Sequence, residues 1–450
     1  MSDKDRADTV YETLLSRAGE RWVQPRKERT ARILAYLDDP QRTYRVVHIT
    51  GTNGKTSTAR MIESLLRAHE LRTGLFTSPH LERFTERIMI DGEPISDAAF
   101  ADAWDEIEPF VGIVDAELEA DGEEPLTFFE LLTVLAFVAV ADAPVDVLVL
   151  EVGMGGEWDS TNTADGDVAV FAPIDIDHAD RLGGTIAEIA QVKAGIIKEG
   201  AAVVSAQQPA EAVEVLRRVA AERNATIAFE GEEFGLTDQK LAVGGQLLSI
   251  RGLAGEYSEE YLPLYGAHQG HNAALAVAAV ESLIGGASQR IAGDIISDGL
   301  QGTTSPGRLQ LLGIAPTVVV DAAHNPHGAH ALAQALDDSF DFDEWGLVLG
   351  ILGDKDAAGI VAQLAPGVAH VFATAPDSDR ASEADAIADL VEQTGRRATV
   401  HHTLAEAADA AREWAASSDR RAVVIAGSVV LAGEAIALSE EEDWKSGWRA

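Results

Sequence analysis

The chain has 450 residues, 46% of them hydrophobic and 24% charged, which is enough for more than one core. It carries 74 Asp and Glu against 35 Lys and Arg and no cysteine. That excludes disulfides, thiolate metal sites and thiol nucleophiles, and it speaks against nucleic acid as a partner, whose phosphates need clustered Lys and Arg. The N-terminal MSDKDRADTV has neither a basic nor an apolar signal region, so a cytoplasmic protein is expected. Only eight of the cations are lysine. A net charge of −39 with so little lysine fits a salt-loaded cytoplasm, where dissolved ions screen the repulsion.

In chain order, RVVHIT (45–50) reads as a strand running into a Gly-rich turn, followed by a helix over about 57–71. The most apolar run, 131–140, soon meets Asp142 and Pro144. It is too short to span a membrane and reads as a buried helix. VDVLVLEV (145–152) is a nearly continuous apolar run, as expected of a buried parallel strand. DVAVFAPI and AAVVSA are two further strands, so the first ~300 residues read as stacked βαβ units. GTTSPG (302–307) is a turn-rich hinge. Beyond it TVVVDAAH, WGLVLGIL, HVFATAP, ATVHHT and AVVIAGS restart the alternation. The expected organisation is α/β: residues 1–301 form a larger domain with a mostly parallel sheet and an N-terminal helical segment. Residues 302–450 form a smaller Rossmann-like α/β domain, and the site lies in the cleft between the two.

Four strings carry chemistry. In HITGTNGKTST (48–58) a strand delivers Gly51 to Gly54 into a turn, and Lys55, Thr56 and Ser57 open a helix. Backbone N–H groups and the helix N-terminus suit phosphate oxygens, Lys55 adds a point charge, and a hydroxyl can face Mg²⁺. The full Walker spacing is absent, because Ile49 stands where a glycine would. TSPHLERFTERIMIDGEPI (77–95) is, as bare chemistry, an exposed turn leading into a charged β-rich segment. In EVGMGGEWDSTN (151–162) Glu151 ends a buried parallel strand, where ligands of open α/β sheets collect. A carboxylate there is costly unless it meets a cation or donors. In PIDIDHADRLGGTIAEIAQVKAGIIK (173–198) a strand ends near His178, and Lys193 follows on a helix. Taken singly, His178 reads as structural and Lys193 as a solvated charge.

Together these strings resemble the folylpolyglutamate synthase/dihydrofolate synthase family of the Mur ligase superfamily. TSPHL is its most specific string. EVGMGGEWDSTN is similar to the family's EVGLGGRLDATN, departing at Met154, Glu157, Trp158 and Ser160, and Val192 stands where the family usually has Glu. KERTARILAYLDDPQ, HQGHNAALA, SPGRLQ, DAAHNPHGA, GILGDKD and AGSVVL extend the likeness in order from about residue 27 to about 431. The resemblance implies an ATP- and Mg²⁺-dependent ligase (Mn²⁺ as an alternative ion) that adds L-glutamate to dihydropteroate or a reduced folate through an acyl phosphate. Gly54, Lys55, Thr56, Ser57, Asn272, Arg308, Asp321 and His324 would hold ATP. Ser78, Glu151, His178 and the Thr56 or Ser57 hydroxyl would hold metal, and Lys193, as N6-carboxylysine, a second ion. Lys55, His178, Lys193 and Arg308 would be catalytic, His178 by orienting the amine. Thr127, Phe128, Phe129, Glu130, Trp158, Asp159 and Ser160 are the expected pterin contacts, since aromatic faces stack on planar heterocycles. A monomer is implied. Two other readings stay open: a Mur-type ligase acting on a cell-wall or cofactor precursor, which Thr56 favours where the folate enzymes often have Gly, and a nucleotide-binding regulator without catalysis. TSPHL and DHADRLGGT weigh against the first, and the joint presence of Lys55, Glu151, His178, Lys193 and Arg308 against the second.

Overall fold

The structure, a computed structural model, describes residues 2–19, 26–177 and 179–445. His178 lies outside the described residues. The strands in chain order are β1 (Arg45–Thr50), β2 (Thr73–Phe76), β3 (Ile88–Ile90), β4 (Glu93–Pro94), β5 (Val147–Glu151), β6 (Val168–Phe171), β7 (Ala202–Ser205) and β8 (Thr226–Phe229). They form one sheet in the order β4-β3-β2-β5-β1-β6-β7-β8. From β2 to β8 every pairing is parallel, and β3 and β4 fold back antiparallel at one edge. β1 and β5 are buried along nearly their whole length. That is why they read as apolar runs rather than alternating ones. Helices cover both faces. Lys55–Ala68 and Ala267–Gly285 pack on one. The other holds Phe128–Asp142, which is buried all round, with Asp97–Ala120 outside it.

One part of the first 300 residues departs from the βαβ expectation. β9 (Gly235–Ala242), β10 (Gly245–Arg251) and β11 (Glu256–Leu262) form a three-stranded antiparallel meander. Its edge strand β9 leaves Thr237, Asp238, Lys240 and Leu241 exposed, and Gly244, at φ +77°, makes the hairpin turn to β10. A half-exposed antiparallel strand of this kind carries no continuous apolar run.

After residue 302 a second sheet contains β12 (Gln310–Ile314), β13 (Thr317–Val320), β14 (Glu344–Leu349), β15 (His370–Ala373), β16 (Ala398–Val400) and β17 (Arg421–Ala426) in the order β12-β13-β17-β14-β15-β16. All pairs are parallel except β12 with β13. The antiparallel edge strand β12 was not expected from sequence. Its run QLLGI is short and ends at the turn before Pro316. Leu81, from the TSPHL loop, packs into this second core, and a Cβ on Gly433 would meet its carbonyl oxygen at 2.0 Å. Among the described residues no helix is long and apolar enough to cross a membrane.

Candidate active site

A cavity of about 800 Å³ opens between the two sheets at the C-terminal ends of their parallel strands, the place where open α/β sheets collect ligands. One wall is the loop after β1. Gly51 lies at φ +154°, and a Cβ there would meet Ala172 Cβ at 2.7 Å. Gly54 lies at φ +83°, and a Cβ there would meet Asn272 Oδ1 at 2.8 Å. Glycine is therefore required at Gly54 twice, once for the backbone and once for the neighbour. Lys55 begins the helix and donates Nζ to the carbonyls of Gly51 (3.3 Å) and Thr52 (3.1 Å). Its ammonium is thus held over the loop whose amides face a phosphate.

Glu151, only 1% exposed at the end of β5, accepts from Thr56 Oγ1 at 3.0 and 3.1 Å and from the Ser78 amide at 3.4 Å. Burial raises its pKa, while Lys55, Thr56, Ser78 and Arg308 oppose the rise. Ser57 turns elsewhere: its hydroxyl lies 3.0 Å from Ser305 Oγ and accepts from Gln269. Of the two hydroxyls expected at the metal, only that of Thr56 stands at Glu151, because successive helix residues point about 100° apart. Lys193, 3% exposed, donates to the Gly51 carbonyl at 2.7 Å. Burial, then Lys55, pushes its pKa down to about 7.

The opposite wall comes from the second sheet. Asp321 accepts from the Leu309 amide at 2.9 Å and the Ala323 amide at 2.8 Å, so it clamps the loop that presents Arg308 to the cavity. Arg308 Nη1 donates to the Gly307 carbonyl. His324 Nδ1 lies 2.9 Å from the Ala322 carbonyl, and burial lowers its pKa to about 4. The walls touch where Asn53 bonds His327 (2.7 Å) and receives Asn325 Nδ2 (3.2 Å).

Residues 49–280 match the Mur ligase middle domain and residues 307–429 the Mur ligase, glutamate ligase domain. The dihydrofolate synthase/folylpolyglutamate synthase of Mycobacterium tuberculosis is 46% identical over 444 residues, 92% of this chain and 91% of that protein. A structure of Mycobacterium tuberculosis folylpolyglutamate synthase complexed with ADP aligns at TM-score 0.92 and 44% identity, covering 97% of this chain and 99% of that one. Escherichia coli FolC in complex with DHPP and ADP aligns at 0.81 and 29%, covering 94% of both chains. The chain belongs to the dihydrofolate synthase/folylpolyglutamate synthase family. It is an ATP-dependent ligase that forms a carbon–nitrogen bond to glutamate in folate metabolism.

Within this family member, Thr127, Phe129, Glu130, Trp158, Asp159 and Ser160 line the cavity beyond Lys193. Phe128 does not. It is 2% exposed and packed on Tyr11, with Arg87 over its ring at 5.4 Å. Its neighbour Phe129 takes the cavity position, with its ring against Gly153, where a Cβ would meet Cζ at 2.4 Å. Thr127 and Glu130 cap the helix reciprocally, and Glu130 also pairs with Arg29 at 3.3 Å. Lys355, Ser428 and His268, which nothing in GILGDKD, AGSVVL or HQGHNAALA marks out by spacing, also line the cavity, as does Arg380.

Among the described residues no group of three His, Asp or Glu side chains forms a ready cation site. The donors that are present nevertheless suit Mg²⁺. Glu151 is a buried carboxylate with no hydrogen-bonded cation among the described residues, beside the Thr56 hydroxyl and facing the cavity. Oxygen donors with room left for water and phosphate match a hard ion.

Proposed function

We propose that this ligase joins L-glutamate to dihydropteroate or a reduced folyl-glutamate through an acyl phosphate, with ATP on the Lys55 side of the cavity and the pterin on the Phe129–Ser160 side. One observation carries this reading: phosphate-binding groups, an under-satisfied carboxylate and an aromatic-lined recess share a single cavity. The acceptor carboxylate oxygen attacks the γ-phosphorus, and ADP leaves. The glutamate nitrogen then attacks the acyl carbon, loses a proton, and phosphate departs. These steps demand positioning and neutralised phosphate charge rather than a protein nucleophile. Lys55 and Arg308 supply fixed positive charge from opposite walls. Asn272 stands against Gly54 to shape the nucleotide loop, and Asp321 holds Arg308 in place. Lys355, and Arg380 beside its ion-pair partner Asp354, line the wall where the carboxylates of the incoming amino acid would sit.

Glu151, Thr56 and Ser78 would hold Mg²⁺, or Mn²⁺, with His178 the fourth member of the set implied by the family. The ion supplies charge neutralisation at the phosphates when bound. An amine with a pKa near 7, as at Lys193, is partly unprotonated at neutral pH and so able to take up carbon dioxide as N6-carboxylysine. A division near residue 302, a monomeric state, a cytoplasmic setting and a salt-loaded host complete the reading, the last supported by the net charge of −39.

The test is phosphate release at molar KCl with ATP, Mg²⁺ and L-glutamate, comparing dihydropteroate, tetrahydrofolate and no acceptor. Release that requires both glutamate and a pterin acceptor is expected. A folded, ATP-binding protein that neither acceptor stimulates would point to another Mur-type substrate.

A further inference from the structure

The nucleotide loop after β1 is tied to the rest of the molecule in two directions. Lys193 and Lys55 hold the Gly51 carbonyl, at 2.7 and 3.3 Å. Thr52 Oγ1 exchanges hydrogen bonds of 3.0 Å with the backbone of Asp175, and the Thr52 amide donates to the Pro173 carbonyl at 2.8 Å. Gly54 lies against Asn272. All of these partners belong to elements around the first sheet. Asn53 points the other way. Its side chain meets Asn325 and His327, at the start of the helix Pro326–Ser339, which packs on the second sheet.

The polarity of this contact is fixed from one end. The Gly328 amide can only donate, and it reaches Asn325 Oδ1 at 2.8 Å. Asn325 therefore turns its Nδ2 to Asn53, and the Asn53 atom 3.2 Å away is the accepting Oδ1. That leaves Asn53 Nδ2 for His327, whose Nδ1 at 2.7 Å must accept. The imidazole makes this contact in the form that carries its proton on Nε2. One backbone amide thus orients two amide side chains and a ring. Pro326, at the first helical position, has a fixed φ and no N–H of its own, so the turn that presents Asn325 and His327 is stiff.

We propose that Asn325 and His327 are positioning residues that latch the nucleotide loop to the second sheet and keep a bound nucleotide enclosed between Lys55 and Arg308. The loop amides and the helix N-terminus hold the phosphates from one wall, and Arg308 faces them from the other. The latch joins the two walls beside those phosphates, so ADP leaves when its bonds let go. The proposal rests on the placement of ATP on the Lys55 side of the cavity.

The test follows release of ADP carrying a fluorescent N-methylanthraniloyl group on its ribose. The labelled ADP is displaced from the full chain by excess ATP, with Mg²⁺ at molar KCl. Asn325→Ser keeps a side chain able to cap the helix and withdraws it from Asn53. His327→Leu removes the acceptor, and His327→Lys sets a donor against the Asn53 donor. Each is expected to speed release about tenfold, the effect of losing one or two modest hydrogen bonds, with the melting temperature unchanged. Asn325→Asp combined with His327→Lys reverses the polarity. The carboxylate still accepts from Gly328, Asn53 turns its Nδ2 toward it, and Asn53 Oδ1 then faces the introduced ammonium. This double variant is expected to release ADP at close to the wild-type rate. Wild-type release from folded Asn325→Ser and His327→Leu proteins overturns the proposal. So does a double variant as fast as His327→Lys alone, or faster release that comes only with a matching fall in melting temperature. Wild-type protein that takes up no labelled ADP overturns the placement of the nucleotide itself, a result distinct from all of these.

Discussion

Two carboxylates lie deeply buried, one at the end of β5 and one in the helix Ala267–Gly285, and they are held in opposite ways. Glu281, 0% exposed in the helix Ala267–Gly285, accepts from Tyr257 Oη at 2.7 Å and from the amides of Leu253 and Ala254 at 2.5 and 3.2 Å. It closes the turn between β10 and β11, and a Cβ on Gly252 would meet its Oε2 at 2.5 Å. Glu151 is as deeply buried, yet among the described residues it has one hydroxyl and one long amide contact, and it faces the cavity. Enclosing a charge requires partners. Where the chain supplies them the residue serves the fold, and at Glu151 the proposed cation would supply what the described residues do not.

The largest break in this contrast is expected at the cavity. Glu151→Gln should lower phosphate release by ~10³-fold, roughly 4 kcal/mol of barrier. Its melting temperature should stay within a few degrees of wild type, because a buried charge is removed along with its contacts. Paired rate and melting measurements check both halves, and unchanged turnover would remove Glu151 from the chemistry. Glu281→Ala should do the reverse. It strands a phenol and two amides, costs about 3 kcal/mol in urea unfolding, and leaves turnover per folded molecule intact. If activity falls and stability does not, the two carboxylates have been assigned the wrong way round. Gly54→Ala, strained at φ +83° and pressed on Asn272, should cost about 1–2 kcal/mol in stability and weaken ADP binding. Calorimetric titration would read the second effect.

The smallest expected effect sharpens the comparison with a partly exposed pair. Glu230 lies 2.5 Å from His271 Nδ1, and that hydrogen bond raises the pKa of the imidazole. A base whose pKa is higher folded than unfolded adds stability that is complete below its unfolded value, about 6.5. That stability is lost as pH rises through the folded value. His271→Gln should therefore destabilise the protein more at pH 5.5 than at pH 8.5. The difference should stay below about 1 kcal/mol, because the imidazole is nearly half exposed. Equal destabilisation at both pH values would show that the pair does not couple to folding.

The nucleotide side of the site was legible in the sequence because its geometry is local. A strand, four residues containing two glycines, and a helix carrying Lys55 and Thr56 at its start are contiguous, so spacing alone implies amides turned toward a phosphate. The acceptor side was legible only as a region. Thr127 to Glu130 are equivalent candidates by sequence, yet Phe128 packs on Tyr11 while Phe129 faces the cavity. That choice depends on the rotation of the helix against β5 and the N-terminal helix. The meander of β9 to β11 escaped notice because its half-exposed strands never build an apolar run.

By itself, then, the sequence determined two α/β layers, the nucleotide loop and the strand-end carboxylate Glu151, since buried parallel strands and tight turns leave continuous apolar runs and required glycines. Tertiary structure alone decided which side chains face one another. Ser57 turned to Ser305, Lys193 to the Gly51 carbonyl, Asp321 to the backbone beside Arg308, and Asn53 to Asn325. All but the Asp321 clamp join residues more than a hundred positions apart in the chain. Such partners are selected by packing and by the cost of leaving a buried polar atom unpaired, and neither is written in local spacing.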